Sequence, residues 1–251
     1  MGKTLGEPRV VLVAGASRGI GATTARALAA AGHPVGLLAR DADALDAQVA
    51  AITAAGGRAL ALPADVGDPE QVDAALHRMR AELGAPAALI WSVAPRFVHQ
   101  KLHELDDAEI GQGVDIDLVA ALRLLRRVLP DMMRAHDGRI VLLSSRAASH
   151  GLRGAPLYVV SKAGLEGLVR SLTVDYAAYG ITANALRLGF VDGERVQYRA
   201  AGDVSDLKTR AATRSLVQPD EVADAIRWLL TAPSTTGAVI DVDGGIGLAV
   251  R

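Results

Sequence analysis

Short apolar runs alternate with longer helical patterns along the chain, and this alternation limits the fold more than any other feature. RVVLVAG reads as a strand, and IGATTARALAAAG as an Ala-rich helix closed by Gly32. PVGLLAR is the next strand, before DADALDAQVAAITAAGG, a helix with Asp at its start and two glycines at its end. RALALPADV leads into DPEQVDAALHRMRAELG, where Asp-Pro-Glu opens a helix. AALIWSVA is a fourth strand, followed by one long helical stretch, DDAEIGQGVDIDLVAALRLLRRVLPDMMRAH, which Asp137-Gly138 ends. RIVLLSS, ITANALRLG and GAVIDVDGG are further strands, separated by LYVVSKAGLEGLVRSLTVDYAAYG and PDEVADAIRWLLTA. Strict alternation predicts an α/β fold with a doubly wound parallel sheet. Half of the residues are apolar but only 3% are aromatic, so Ala, Val, Leu and Ile must build the core. That composition suits helices packed on a parallel sheet whose strands are buried on both faces.

Residues 1–251 show no repeat, linker or low-complexity tract and read as one domain. The irregular stretch 190–216, with charge, glycine and no clear core pattern, reads as a substrate lid. A net charge of −1 recruits neither nucleic acid nor an anionic membrane. The absence of cysteine excludes disulfides, thiolate catalysis and cysteine metal sites. No apolar run approaches the ~18 residues of a membrane span. Glu7 and Pro8 interrupt any signal-peptide pattern, so a cytoplasmic protein is expected. The six histidines show no ligand spacing, and no metal is expected.

The turn VAGASRGIG joins the first strand to the first helix with glycines at 15, 19 and 21. Its G-x-x-x-G-x-G spacing differs from the G-x-G-x-x-G dinucleotide fingerprint, but the physics is shared. Missing side chains let a phosphate approach backbone N–H groups at the positive end of a helix. Read in isolation, this is a plain Gly-rich turn; between a strand and a helix it reads as nucleotide binding through Gly15, Ser17, Arg18, Gly19, Ile20 and Gly21. The end of the second strand is where an acid would hold a ribose 2′-hydroxyl and an arginine a 2′-phosphate. Arg40 stands there with Arg18 nearby, which points to NADP(H), with Asp41 the rival reader. Asp65 and Val66 end the third strand, where an adenine amino group needs an acceptor.

Tyr158 and Lys162 are four residues apart, on one face of a helix. Taken alone, the pair reads as a half-buried tyrosine and a solvated lysine. Together with AGASRGIG, Asp65-Val66, Ser145 thirteen residues before Tyr158, and GAVIDVDGG, the chain resembles the short-chain dehydrogenase/reductase superfamily from end to end. The resemblance implies a Rossmann-type domain with about seven parallel strands, assembled as a tetramer or dimer. It implies that Tyr158 exchanges a proton with a small-molecule carbonyl or alcohol. Lys162 would favour the phenolate by its charge and hold the nicotinamide ribose, while Ser145 would hydrogen-bond the substrate oxygen.

Several positions depart from the family. Its Asn-Asn-Ala-Gly segment is replaced by Trp91-Ser92-Val93-Ala94, which is similar to a segment of the enoyl-reductase branch, although that branch spaces its Tyr and Lys more widely. Ser92 and Ala94 remain cofactor candidates, while Trp91 reads as a core aromatic. Asp117 falls where the family carries an Asn that supports a water in a proton relay toward the lysine; it counts here as a catalytic candidate that brings charge. Leu188-Gly189 replaces Pro-Gly, with Gly189 and the backbone of Val191 left to meet the cofactor. Arg123, Arg126 and Arg127 read as a helix face that is solvated or at a subunit contact, and His150 as a candidate for substrate contact. The expectation is an NADP(H)-dependent ketoreductase with a biosynthetic role; the alternatives are a catalytically silent NADP(H)-binding regulator and an enoyl reductase.

Overall fold

The computed structural model describes residues 7–94, 99–194, 196 and 203–248. Its strands are β1 (Val11–Ala14), β2 (Val35–Ala39), β3 (Ala59–Pro63), β4 (Ala88–Trp91), β5 (Gly138–Ser145), β6 (Ile181–Leu188) and β7 (Val239–Val242). All pair in parallel, in the order β3-β2-β1-β4-β5-β6-β7. The helices are α1 (Gly19–Ala30), α2 (Ala42–Ala54), α3 (Pro69–Glu82), α4 (Asp107–Val114), α5 (Ala120–Ala135), α6 (Ala147–His150), α7 (Pro156–Tyr176), α8 (Ser205–Thr209) and α9 (Pro219–Thr231). Alternate residues of each strand face opposite layers. Leu12 and Ala14 join one core with Leu89, Trp91, Leu124 and Leu165, while Val11 and Val13 join the other with Leu28, Val35 and Ile226.

β1 lies between β2 and β4, so the strand order reverses beside it. In such sheets a crevice opens at that point, outside the carboxyl ends of the strands. The turn after β1 and the start of the loop after β4 meet there, with Gly15 against the Ser92 carbonyl, and they carry the candidates Gly15, Ser17, Arg18, Ser92 and Ala94.

Local sequence explains the helix ends. Asp68 accepts hydrogen bonds from Glu70 N and Gln71 N, and Pro69 occupies the first position of α3. The long helix expected over 106–136 is instead divided: α4 runs into a π turn over Asp115–Val119, and α5 follows. A π turn adds one residue to the helical repeat and so re-aims the side chains within it. His136, in the left-handed conformation (φ 48°), closes α5 ahead of Asp137. The stretch 190–216 is anchored at its ends: Val191 bridges Val217, and Ala211 and Leu216 are buried. Residues 195 and 197–202 of the expected lid lie outside the described residues. Among the described residues, no helix is long and apolar enough to cross a membrane.

At the opposite end of the sheet, Arg9 is 1% exposed and pairs with Asp137 through Nε (3.0 Å) and Nη2 (3.2 Å). Asp137 also lies 3.1 Å from Nη1 of Arg139. One carboxylate therefore serves two buried guanidiniums and ties the start of β1 to the start of β5. Burial holds the Arg139 guanidinium below its usual range, against the favourable charge of Asp137. Removing the shared acid leaves both cations buried and uncompensated. Asp137→Ala is expected to destabilise the fold by about 3–5 kcal/mol, read as a fall in Tm on the order of 10 °C; an unchanged Tm would contradict this assignment.

Candidate active site

The Gly turn after β1 is shaped by close backbone approach. A side chain at Gly15 would meet the Ser92 carbonyl oxygen at 2.7 Å, and one at Gly21 would meet the Gly15 carbonyl oxygen at 2.1 Å. Gly19, the first residue of α1, faces open space with φ +56°. No side chain caps α1 and no acid lies in its first turn. Its N-terminal amides are open to an anion, as a pyrophosphate requires. Arg18, which precedes the helix, lies 3.5 Å from Glu194 at the start of the lid stretch. Ile20 packs inward against the core, and Ser17 lies in the turn itself.

At the end of β2 the two candidate readers separate. Asp41 accepts a hydrogen bond from Ala44 N at 3.0 Å on Oδ1 and caps α2. Arg40 is 78% exposed in its side chain and lies 3.9 Å from Asp65 Oδ2. Asp65 Oδ1 accepts from Gly67 N at 2.9 Å, and Val66 leans on the core. The Arg40 guanidinium thus keeps donors available at the mouth of the crevice.

Lys162 lies on α7 and is 3% exposed. Its ammonium sits 5.8 Å from the centre of the Tyr158 ring. It donates to the Leu143 carbonyl at 3.0 Å, the Val93 carbonyl at 3.3 Å and Asp117 Oδ1 at 3.0 Å. Asp117, within the π turn and fully buried, is in direct contact with the lysine, its Oδ2 at 2.9 Å. The contact is direct, beside the resemblance's implication of a residue that supports a water in a relay toward the lysine. Trp91 Nε1 donates to Asp117 Oδ1 at 3.2 Å. Trp91 is a core aromatic as read, but its indole N–H also reaches this site.

Ser145, at the end of β5, accepts from Ala147 N at 3.2 Å. Ser92 N donates to Ala14 O at 2.9 Å, and Ala94, at the surface, follows the Val93 carbonyl that faces Lys162. Gly189 N donates to Val242 O at 3.0 Å. The bridge to Val217 uses the Phe190 carbonyl and the Asp192 amide, so Val191's own amide takes no part in it. Both ring nitrogens of His150, an exposed residue, lie 2.8–3.0 Å from Arg146 Nη2. Arg127, read as solvated or at a subunit contact, pairs with Asp73 of α3 at 2.6 and 3.0 Å.

A family model described as enoyl-(acyl carrier protein) reductase matches residues 15–247. The chain is 37% identical over 251 residues to cis-4-hydroxycyclohexanecarboxylate dehydrogenase of Sinomonas cyclohexanicum, with 98% of each chain covered. It is 30% identical over 242 residues to a 3-oxoacyl-(acyl-carrier-protein) reductase of Escherichia coli (strain K12), covering 96% of this chain and 98% of that one. Among solved structures, a 3-oxoacyl-(acyl-carrier protein) reductase from Brucella melitensis ATCC 23457 superposes with a TM-score of 0.90 at 26% identity, covering 98% of this chain and 93% of that one.

Behind the site, Glu166 lies one helical turn after Lys162. Ser144 Oγ donates to its Oε1 at 2.7 Å, and Arg187 of β6 donates to both oxygens at 2.9 and 2.7 Å. This clamp joins α7 to the ends of β5 and β6. Burial pushes the Glu166 carboxyl up, but hydrogen bonds from Arg187 and Ser144 outweigh it and hold it below the usual 4.5. A depressed folded-state value adds stability above the unfolded value and loses it as pH falls through the folded one. Glu166→Gln is expected to lower Tm at pH 7, and the gap to wild type should close at pH values below about 4. A gap of constant size from neutral to acid pH would show that the charge of Glu166 carries none of this stability.

Proposed function

The chain belongs to the short-chain dehydrogenase/reductase superfamily, and we propose that it interconverts a ketone and a secondary alcohol with NADP(H) as the hydride carrier. The observation that carries this reading is the buried Lys162 ammonium 5.8 Å from the Tyr158 ring, at the carboxyl edge of the sheet where the strand order reverses. The residues present fit the cofactor: the open amides of α1 suit its pyrophosphate, Arg40 and Arg18 a 2′-phosphate, and Lys162 a ribose hydroxyl. When bound, the nicotinamide supplies or accepts the hydride. Tyr158 gives its hydroxyl proton to the carbonyl oxygen in reduction and takes one from the alcohol in oxidation. Ser145 donates a hydrogen bond to the same oxygen, where negative charge develops.

The names of the relatives support a carbonyl or alcohol substrate: one is a cis-4-hydroxycyclohexanecarboxylate dehydrogenase and another a 3-oxoacyl-(acyl-carrier-protein) reductase. A second reading, enoyl reduction, draws on the description of the matching family model and on the Trp91-Ser92-Val93-Ala94 segment. We further infer a cytoplasmic homo-oligomer acting on small molecules. Exposed apolar side chains on α5 and α7 (Leu122, Val160 and Val174) support the assembly. NADPH oxidation is the test, measured against cyclic oxo acids, 3-oxoacyl thioesters and enoyl thioesters. Turnover of a carbonyl substrate is expected. Turnover of enoyl thioesters alone, or tight NADPH binding without any turnover, would replace the reading.

Two substitutions examine the parts. Tyr158→Phe removes the proton donor with little change in volume. Activity is expected to fall at least about a hundredfold while NADPH binding survives; near-wild-type turnover would dismiss the mechanism. Arg40→Asp exchanges a phosphate partner for a hydroxyl acceptor. The ratio of kcat/KM for NADPH to that for NADH should reverse, and an unchanged ratio would mean that another group reads the phosphate.

A further inference from the structure

Lys162 has three ammonium protons, and the protein engages all of them: with Asp117 Oδ1, the Leu143 carbonyl and the Val93 carbonyl. A buried ion pair offsets the cost of leaving water only when its geometry is tight and its remaining polar atoms are satisfied. For Asp117 the second donor is Trp91, whose indole N–H lies 3.2 Å from Oδ1. Oδ2 has no hydrogen bond and is held by the 2.9 Å contact with the ammonium. Trp91 and Asp117 are both 0% exposed, so no solvent competes for these contacts. The two come from separate elements, Trp91 from the last position of β4 and Asp117 from the π turn before α5. They converge on Lys162 from α7, and Val93, two residues after Trp91, supplies one of the carbonyls.

We propose that Trp91 and Asp117 act as positioning residues for Lys162: the indole fixes the carboxylate, and the carboxylate fixes the ammonium beneath Tyr158. The assignment rests on the reading of Lys162 as the cation that serves the tyrosine and the cofactor ribose. The three contacts are unequal. Val93 is the longest at 3.3 Å, so its proton is the one released to a ribose hydroxyl, while Asp117 and Leu143 retain the nitrogen. Asp117 also sets how much positive charge Tyr158 meets, because it sits against the cation that favours the phenolate.

Among the described residues, the titratable groups that meet here are Tyr158 and Lys162 from α7 and Asp117 from the π turn. The loop after β4 contributes the Val93 carbonyl and β5 the Leu143 carbonyl. Nearby charges are matched elsewhere: Asp115 with Arg123, and Glu166 with Arg187. The signs follow. Asp117→Asn removes negative charge beside Lys162, leaves more positive charge facing Tyr158 and stabilises the phenolate. Trp91→Phe removes the donor that draws charge from the carboxylate, so Asp117 offsets Lys162 more strongly.

The test is the pH–rate profile of alcohol oxidation in wild type, Asp117→Asn, Trp91→Phe and the double variant. Asp117→Asn should move the rise in rate to lower pH by roughly one unit. Trp91→Phe should move it to higher pH in the otherwise wild-type protein and leave it in place when added to Asp117→Asn. A Trp91→Phe effect confined to Tm, or the same shift in both backgrounds, would assign Trp91 to packing alone and overturn the proposal. The indole N–H resonance of Trp91 provides a readout that needs neither turnover nor a Trp91 variant. It should move on Asp117→Asn and again when NADP(H) is added. An indole signal that Asp117→Asn leaves unmoved would overturn the proposal even in an active enzyme. A signal that moves in a protein without alcohol oxidation would fault the functional reading and keep the Trp91–Asp117 contact.

Discussion

The placement of β1 between β2 and β4 is the constraint on which the remaining architecture depends. A parallel sheet covered on both faces buries its strand side chains, so polar chemistry is confined to the strand ends. The reversal of order beside β1 gathers those ends into one crevice. It sets the Gly turn against the Ser92 carbonyl, at a distance that only glycine at position 15 permits. β5 runs on past the last paired residue of β4, carrying Ser145 into register with Leu188 of β6. The candidate residues therefore sit on backbone whose position the sheet dictates.

α7 shows how packing and chemistry share one helix. Its buried face carries Ser161, Lys162, Leu165, Glu166 and Val169. The apolar members fill the core, and the two charged members lie one turn apart with separate partners. Lys162 is matched by Asp117 and Glu166 by Arg187. Each pair ties α7 to a different element, the π turn on one side and β6 on the other. A cation buried to this degree is stable only because every proton has an acceptor, and the same acceptors limit where it points.

Much of the fold was legible because each strand is an apolar run and most helices carry their own stop or start residues. The sheet follows from alternation, and the caps at Asp41 and Asp68 follow from acids placed before helical patterns. Asp41 is readable in two ways, as a helix start and as a cofactor reader; the hydrogen bond to Ala44 shows the first. The π turn was not legible, since VDIDLVAAL keeps a helical pattern through it and one extra residue leaves no mark in composition. The catalytic candidates Ser145, Tyr158 and Lys162 stood out by spacing and resemblance. The contacts of Trp91 and Arg127 did not, because both depend on partners distant in the chain, Asp117 for one and Asp73 for the other. Long-range polar pairing is decided by how layers meet, which local patterns do not encode.

The proposed reaction is defined by where the hydride goes. Incubating the protein with NADPH deuterated at the transferring C4 position and a carbonyl substrate, then locating deuterium in the product by NMR, tests this most directly. Deuterium is expected on the carbinol carbon of a secondary alcohol, in one stereochemical configuration. Deuterium found only on the carbon chain of a reduced enoyl thioester, or NADPH bound with no deuterium transferred to any acceptor, would contradict it.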